Sequence, residues 1–276
     1  MKKRDGRRET LKMLTVSAML ALAGPGGAGM AHAASTRSVI LDQANNPVYG
    51  LLGNYKSWLS KASDPSAALA ADRAKADNII TWQMPHGGFY KDPSWYAAPW
   101  NGTAKRSGWT GANGVELGTI DNHGTVSEIM FLADVYRRSG ASKYRDSARK
   151  ALDFLLTMQV ASGGFPQVYP ARTGTSYSNH VTFNDDAMVR VLVLFDQANK
   201  RKAPLDGSVF SSSQLTRLEP AIEKAVGYIL KAQIVQGACP RCGARSMTPF
   251  PTCRAVRGPT SCRPRAGPSR RASCSS

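Results

Sequence analysis

The run Gln83-Met84-Pro85-His86-Gly87-Gly88-Phe89 returns as Gln159-Val160-Ala161-Ser162-Gly163-Gly164-Phe165, and a third helical pattern ends at Gln233-Ile234-Val235-Gln236-Gly237. The Gln-to-Gln intervals are 76 and 74 residues. Each is long enough for a pair of helices and their loops, so the chain is expected to pack helical hairpins side by side around an axis. Between residues 36 and 237 the apolar spacing is helical, as in Val126, Ile129, Met130, Ala133 and Tyr136, or Ala148, Leu152, Leu155 and Leu156. Strand-like alternation is scarce. Helices are expected over roughly 36 to 61, 66 to 84, 125 to 139, 143 to 160, 184 to 200 and 213 to 236, with starts at Asp64-Pro65, Thr125 and Asn184. This is the pattern of an all-α chain and of an α/α toroid. In such a fold the long loops at one end of the helices form the binding face, so polar residues in loops carry more functional weight than those on helices.

Charge narrows the choice of partner. The formal net charge is +17, but residues 1 to 33 hold six Lys/Arg against two acids, and residues 238 to 276 hold eight Arg and no acid. The middle of the chain is left with +5, an ordinary soluble surface mildly suited to a polyanion. Nucleic acid is therefore not an expected partner. Lys2, Lys3, Arg4 and Arg7-Arg8, an apolar run from Leu11 to Ala23, and Ala31-His32-Ala33 read as an export signal over residues 1 to 33, of twin-arginine or general secretory type. The mature chain is expected outside the cytoplasm, in the periplasm or secreted, as a monomer that no membrane holds after cleavage. All five cysteines fall in the tail, at Cys239, Cys242, Cys253, Cys262 and Cys274, so the domain over 34 to 237 needs no disulfide.

The longest loop, Met84 to Thr125, contains Trp95, Tyr96, Trp100 and Trp109 and ends in Gly118-Thr119-Ile120-Asp121-Asn122-His123-Gly124-Thr125. Aromatic faces stack on sugar rings, and four of them beside an acidic motif suit a carbohydrate cleft, although each alone can simply pin the loop. Asp121 and Asn122 can cap the following helix; if Thr125 caps it instead, they are free to face a ligand, and hard oxygen donors of this kind suit Ca²⁺. Asn184-Asp185-Asp186 opens another helix, after Tyr177-Ser178-Asn179-His180-Val181-Thr182-Phe183. Capping by Asn184 competes there with a ligand role, and adjacent carboxylates are costly unless a cation or shared proton relieves them. His86 and His180 are candidate general bases, and Lys91, Arg106 and Arg172 lie in loops where they can pair with carboxylates of a substrate. Cys239-Pro240-Arg241-Cys242 has half a zinc-site spacing and no second half.

The run Gly118 to Arg138, the turn Gly163-Gly164-Phe165-Pro166-Gln167-Val168-Tyr169-Pro170 and the segment Asn179 to Met188 resemble pectate lyases of polysaccharide lyase family 10, over roughly residues 40 to 237. The resemblance implies an incomplete α/α toroid that cleaves polygalacturonate by calcium-dependent β-elimination, with an arginine as base. It implies that Asp121, Asp185 and Asp186 hold calcium or calcium-bridged substrate, and that Asn122, His123, Tyr177, Asn179, His180 and Arg172 contact substrate. Rival readings are a toroid glycoside hydrolase with Asp121 and Asp185 as acid and base, and a carbohydrate-binding module without turnover.

The family's arginine lies beyond the third repeat helix, where this chain has Ala238 to Ser276, rich in Arg, Pro, Ser and Cys. In the frame one base earlier, the junction of Met247 and Thr248 encodes Asp without choice, and Cys242 to Pro249 can encode Trp-Cys-Ala-Gln-His-Asp-Pro, which resembles the family's continuation. Residues 238 to 276 are thus expected to be an out-of-frame tail following a frameshift just after Gly237, and the catalytic base to be missing from this reading frame.

Overall fold

The computed structural model describes residues 47–236, 239–241 and 246–247. The expected export signal, residues 36 to 46 of the first expected helix, and all of the tail except the backbone of Cys239–Arg241 and Ser246–Met247 lie outside the described residues. Six α-helices are described: α1 (Pro47–Gly50), α2 (Pro65–Thr81), α3 (Val126–Ser139), α4 (Ser142–Met158), α5 (Ala187–Asn199) and α6 (Ser212–Ala232). They pack mainly as α2 on α3, α3 on α4 and α5 on α6, the stacked helical hairpins of a toroid. Among the described residues no helix is long and apolar enough to cross a membrane.

The helix starts follow local chemistry. The Asp64 carboxylate accepts from the Ala67 N–H at 2.8 Å with Pro65 at the first helical position, where its missing donor costs nothing. Ser211 and Gln214 close a reciprocal capping box at the start of α6. The expected continuous helix from 36 to 61 is not found over its described part. Pro47–Gly50 makes one α-turn and Gly53–Trp58 a 3-10 turn, because Pro47 starts a turn that the closely spaced Gly50 and Gly53 do not extend.

Helices α3 and α5 form an inner layer. Val126 to Ala133 are all buried in α3, as are Ala187, Met188, Arg190 to Phe195, Gln197 and Ala198 in α5. The outer helices bury one stripe each: Asp72, Ala76 and Ile79 in α2, Tyr144, Ala148, Ala151, Leu152 and Leu155 in α4, and Leu218, Ala221, Ile222 and Ala225 in α6. Six strands of two or three residues stitch the loops: β1 (Gly118–Thr119), β2 (Val168–Tyr169), β3 (Val181–Thr182), β4 (Ile234–Gln236), β5 (Cys239–Arg241) and β6 (Ser246–Met247). They pair antiparallel as β1 with β2, β3 with β6 and β4 with β5. Strands this short carry too few alternating positions to show in a sequence.

The repeat seen in sequence is a repeat in space. The Gln83 side-chain amide donates to the carbonyls of Gly87 at 2.8 Å and Ser147 at 3.0 Å. Gln159 does the same to Gly163 at 2.9 Å and Ala221 at 2.8 Å. Each glutamine thus closes the turn after its own hairpin and ties it to the outer helix of the next. The turn can lie that close only without a side chain. Gly87 and Gly163 have φ of +98° and +104°, and a Cβ on either would collide with the carbonyl oxygen of Lys150 or Lys224.

Behind the inner layer, the Tyr96 hydroxyl donates to Glu128 Oε1 at 2.7 Å, with Tyr96 5% and Glu128 2% exposed. Glu128 Oε2 is buried without a hydrogen-bond partner. Burial raises the carboxyl from 4.5 to about 7, although hydrogen bonds from Tyr96 and nearby backbone amides act to lower it. Because the folded value lies above the unfolded one, the stabilisation from this acid is complete below pH 4.5 and declines as pH rises through about 7.

Two measurements test these features. Gly163→Ala should destabilise the chain by about 3 kcal/mol in denaturant melts, whereas Gly174→Ala, also at positive φ but in open space, should cost only about 1 kcal/mol. Equal costs would mean that the close approach at Gly163 does not matter. Glu128→Gln should flatten the fall in Tm between pH 5 and pH 8, a span worth on the order of 3 kcal/mol in the parent chain. A variant that keeps the parent's pH slope would place that slope elsewhere.

Candidate active site

Both inner helices are entered through the same device. In the first, the Thr119 hydroxyl accepts from the Asp121 N–H at 2.9 Å and donates to the Gln167 carbonyl at 2.7 Å. In the second, the Thr182 hydroxyl accepts from the Asn184 N–H at 3.1 Å. Single 3-10 turns follow, Asp121–His123 and Asn184–Asp186, each with two successive non-glycine residues in the left-handed region. Asn122 and His123 have φ of 47° and 66°, and Asp185 and Asp186 have 49° and 55°. Asn and Asp tolerate this conformation best, and its cost is met by the packing of Thr119 and Thr182, both buried. The strain fixes where the acidic side chains stand at the loop end of α3 and α5.

Capping does not explain these residues. Thr125 makes no side-chain cap to α3. Its hydroxyl accepts from the Phe89 N–H at 3.1 Å and donates to the Thr119 carbonyl at 2.8 Å, sewing three segments together. The expected cap by Thr125 is therefore replaced by a tertiary role. Asn184 does not cap α5 either: its amide donates to Asp185 Oδ2 at 2.6 Å, and the helix begins after Asp186 without a side-chain cap.

Asp121 is 7% exposed and accepts from Lys91 Nζ at 2.8 Å and from the Asn122 N–H at 3.0 Å. Asp185, Asp186 and Asn122 are exposed. Arg190, in the first turns of α5, was not singled out from the sequence. It is 8% exposed, its Nε and Nη1 are buried with no hydrogen-bond partner, and it lies within electrostatic reach of Asp186, Asp185 and Asp121. Burial lowers its pKa while the three carboxylates act against that lowering. His123 Nδ1 is likewise buried and unpartnered, and its pKa is lowered by burial and then by the Arg190 charge. A lone cation in the otherwise apolar run Met188 to Phe195, four residues after a pair of aspartates, was the available sequence signal.

The aromatic set divides. Tyr96 is a core residue bound to Glu128, not part of a cleft. Trp95 packs on Trp82 and Tyr90, and the Trp100 indole N–H donates to the Ala104 carbonyl at 2.7 Å, so both pin the loop. Only Trp109 stands beside the acidic turns, with Lys91 Nζ 4.6 Å and the Arg172 guanidinium 5.2 Å from its ring centre. These are cation–π distances.

Other candidates are already engaged. His86 bridges the Glu116 carbonyl at 3.0 Å and the Gly88 N–H at 3.1 Å and stacks on Phe154, leaving no ring nitrogen for a general base. Arg106 is paired with Glu116 at 3.2 Å, donates to the Gln83 carbonyl and stacks on Trp100. The Asn179 amide is spent holding its own loop, accepting from the Arg172 N–H at 2.7 Å and donating to the Arg172 carbonyl at 3.0 Å. It thereby places Arg172 at the site instead of reaching a ligand itself. Tyr177 is 60% exposed on the same loop, and His180 is partly buried at its end.

The donor chemistry of Asp121, Asp185 and Asp186 suits calcium, but their arrangement does not form a ready metal seat. Among the described residues no group of three His, Cys, Asp or Glu converges closely enough to hold a metal ion. Lys91 and Arg190 already balance the carboxylates.

Comparison with known proteins gives this geometry a family. The pectic acid lyase family model matches residues 83–242. Among solved structures, the chain is similar to a family 10 polysaccharide lyase from Cellvibrio cellulosa, at 34% identity and a TM-score of 0.57 over 75% of this chain and 57% of that one. It is equally similar, at 34% identity and TM-score 0.57, to an aspartate-to-alanine mutant of a family 10 lyase from the same organism in complex with trigalacturonic acid, over 73% of this chain and 56% of that one. The chain thus spans a little over half the length of these relatives. No curated protein matches. With one family model matched over more than half of its residues and a third of them identical to a solved relative, the chain belongs to the pectic acid lyase family.

Proposed function

We propose that this chain binds polygalacturonate at the loop face formed by Asp121, Trp109, Lys91 and Arg172, and that it descends from a calcium-dependent lyase whose elimination chemistry it performs weakly or not at all. The observation that carries the reading is the pair of cations on either side of Trp109, beside a buried carboxylate. An indole face takes the apolar face of a sugar ring, and a lysine and an arginine flanking it can meet the carboxylates of successive uronates. Asn122 and His123 on one turn, and Tyr177 and His180 on the Arg172 loop, border the same face, and Asn179 shapes it.

In β-elimination the C5–H bond breaks, its proton goes to a base, the electron pair forms the C4–C5 double bond, and the C4 oxygen leaves with the glycosidic bond. The C5 proton becomes removable only when its carboxylate is neutralised, because the intermediate places a second negative charge beside the first. Lys91 and Arg172 supply that neutralisation from this chain's own residues. Calcium, when held at Asp121, Asp185 and Asp186, would supply more of the same charge. No free arginine base stands among these residues, since Arg106 and Arg190 are both enclosed. The match to the family model ends at residue 242, shortly after Gly237, in keeping with a reading frame lost there; the nucleotide sequence is the direct test, and third bases that exclude Trp-Cys-Ala-Gln-His-Asp-Pro would end that idea. Export through the residue 1 to 33 signal belongs to the same proposal.

The glycosidase alternative fits less well. Both Asp121 oxygens accept hydrogen bonds from donors, a poor setting for a general acid.

On polygalacturonate gels Arg172→Ala and Lys91→Ala should each weaken retention roughly three- to tenfold, an effect that salt diminishes. Unchanged retention in both variants would remove the binding face from this position. The parent chain, assayed by ultraviolet absorbance of unsaturated product with calcium present, should form little or none, and turnover comparable with a complete lyase would refute the lost-base reading.

A further inference from the structure

We propose that Arg190 is the built-in counter-ion of the Asp121, Asp185 and Asp186 carboxylates, a positioning residue that holds the two acidic turns together without metal and keeps their affinity for a divalent cation low. The inference rests on the reading of these carboxylates as the acidic side of the site.

Three carboxylates on two adjoining turns repel one another, and in most proteins a cation or a shared proton relieves them. Here the relief comes from within. Lys91 answers Asp121 directly at 2.8 Å, but neither Asp185 nor Asp186 has an ion pair among the described residues. The remaining positive charge is Arg190, carried on the inner helix α5, which packs against both the Asp121–His123 and the Asn184–Asp186 turns. Its surroundings on α5 are apolar, with Met188, Val191, Leu192, Val193 and Leu194 buried around it. A guanidinium placed there with two unpartnered nitrogens would be strongly unfavourable but for nearby negative charge. Arginine suits the position better than lysine because its charge is delocalised and less strongly hydrated.

The same charge opposes a metal. A calcium ion meeting these carboxylates enters the field of a fixed cation shielded from water, where screening is weak. This accounts for acids of the right chemistry that are not gathered into a metal seat. The unpartnered His123 Nδ1, also near Arg190 and Asp186, lies in the same field.

The test compares the parent chain with Arg190→Met, which keeps an unbranched apolar stem, and Arg190→Lys, which keeps the charge. Thermal melts in chelator and in millimolar calcium chloride are combined with calorimetric calcium titration. Arg190→Met should melt lower than the parent in chelator, regain most of that loss with calcium, and bind calcium on the order of tenfold or more tightly. Arg190→Lys should keep the parent's calcium affinity within about threefold. The proposal is overturned if Arg190→Met binds calcium no more tightly than the parent, if both variants lose stability equally with unchanged calcium response, or if Arg190→Met fails to fold with calcium as well as without. Those results leave the pectate-binding face untouched, because it is judged on gel retention of the Lys91 and Arg172 variants.

Discussion

The side-chain amides of Gln83 and Gln159 determine where everything else stands. Each is held between the carbonyl of a glycine in its own turn and a carbonyl on the outer helix of the next hairpin. A neutral amide with two donors suits this task, since each buried carbonyl it satisfies would otherwise be left without a partner at considerable cost. Through those bonds the angle between successive hairpins is set. Because the loops leave the hairpins at those same turns, the loops converge at one end of the inner helices. Asp121, Trp109, Arg172 and the Asp185-Asp186 pair come from segments far apart in sequence. They meet because two copies of one clamp repeat the same geometry.

A second duplication lies inside the first. Thr119 and Thr182 each accept the N–H two residues on, and each precedes a left-handed pair at the mouth of an inner helix. The two turns have diverged in charge. The first presents one buried aspartate answered by lysine; the second presents two exposed aspartates with no ion pair of their own among the described residues. The asymmetry suits an elongated polyanion, which needs cations along one side and a charge-balanced floor on the other. A toroid interior can support such a floor because α3 and α5 are buried on nearly every side and cannot move to relax the charges.

Much of this was legible in the sequence, and what was not has physical reasons. Helical period and the Gln-Gly-Gly-Phe recurrence locate α2 to α6 within a few residues, because long amphipathic helices and forced glycines leave strong marks. The helix proposed over 36 to 61 failed where described because apolar spacing alone does not register two glycines three residues apart. Asp121, Asp185 and Asp186 stood out as acids in loops. Arg190 did not, because an arginine on a helix is ordinarily a solvated surface group, and only the three-dimensional packing shows this one enclosed beneath carboxylates. Tyr96 misled for the opposite reason: an aromatic in a loop looks available until Glu128, from another element, claims its hydroxyl.

The helix-start reading went astray in a way that bears on function. Thr125 and Asn184 have the right chemistry to cap, and in an isolated helix they would do so. In this fold Thr125 is drawn into the seam between Phe89 and Thr119, and Asn184 is drawn onto Asp185. Both inner helices consequently begin without a side-chain cap, leaving their first backbone N–H groups and the positive end of the helix dipole directed toward the loop face. The helix ends thereby add to the positive character that Lys91 and Arg172 give the site. A local stabilising interaction has been given up at both inner helices, at the one end of the molecule where negative charge is expected to arrive.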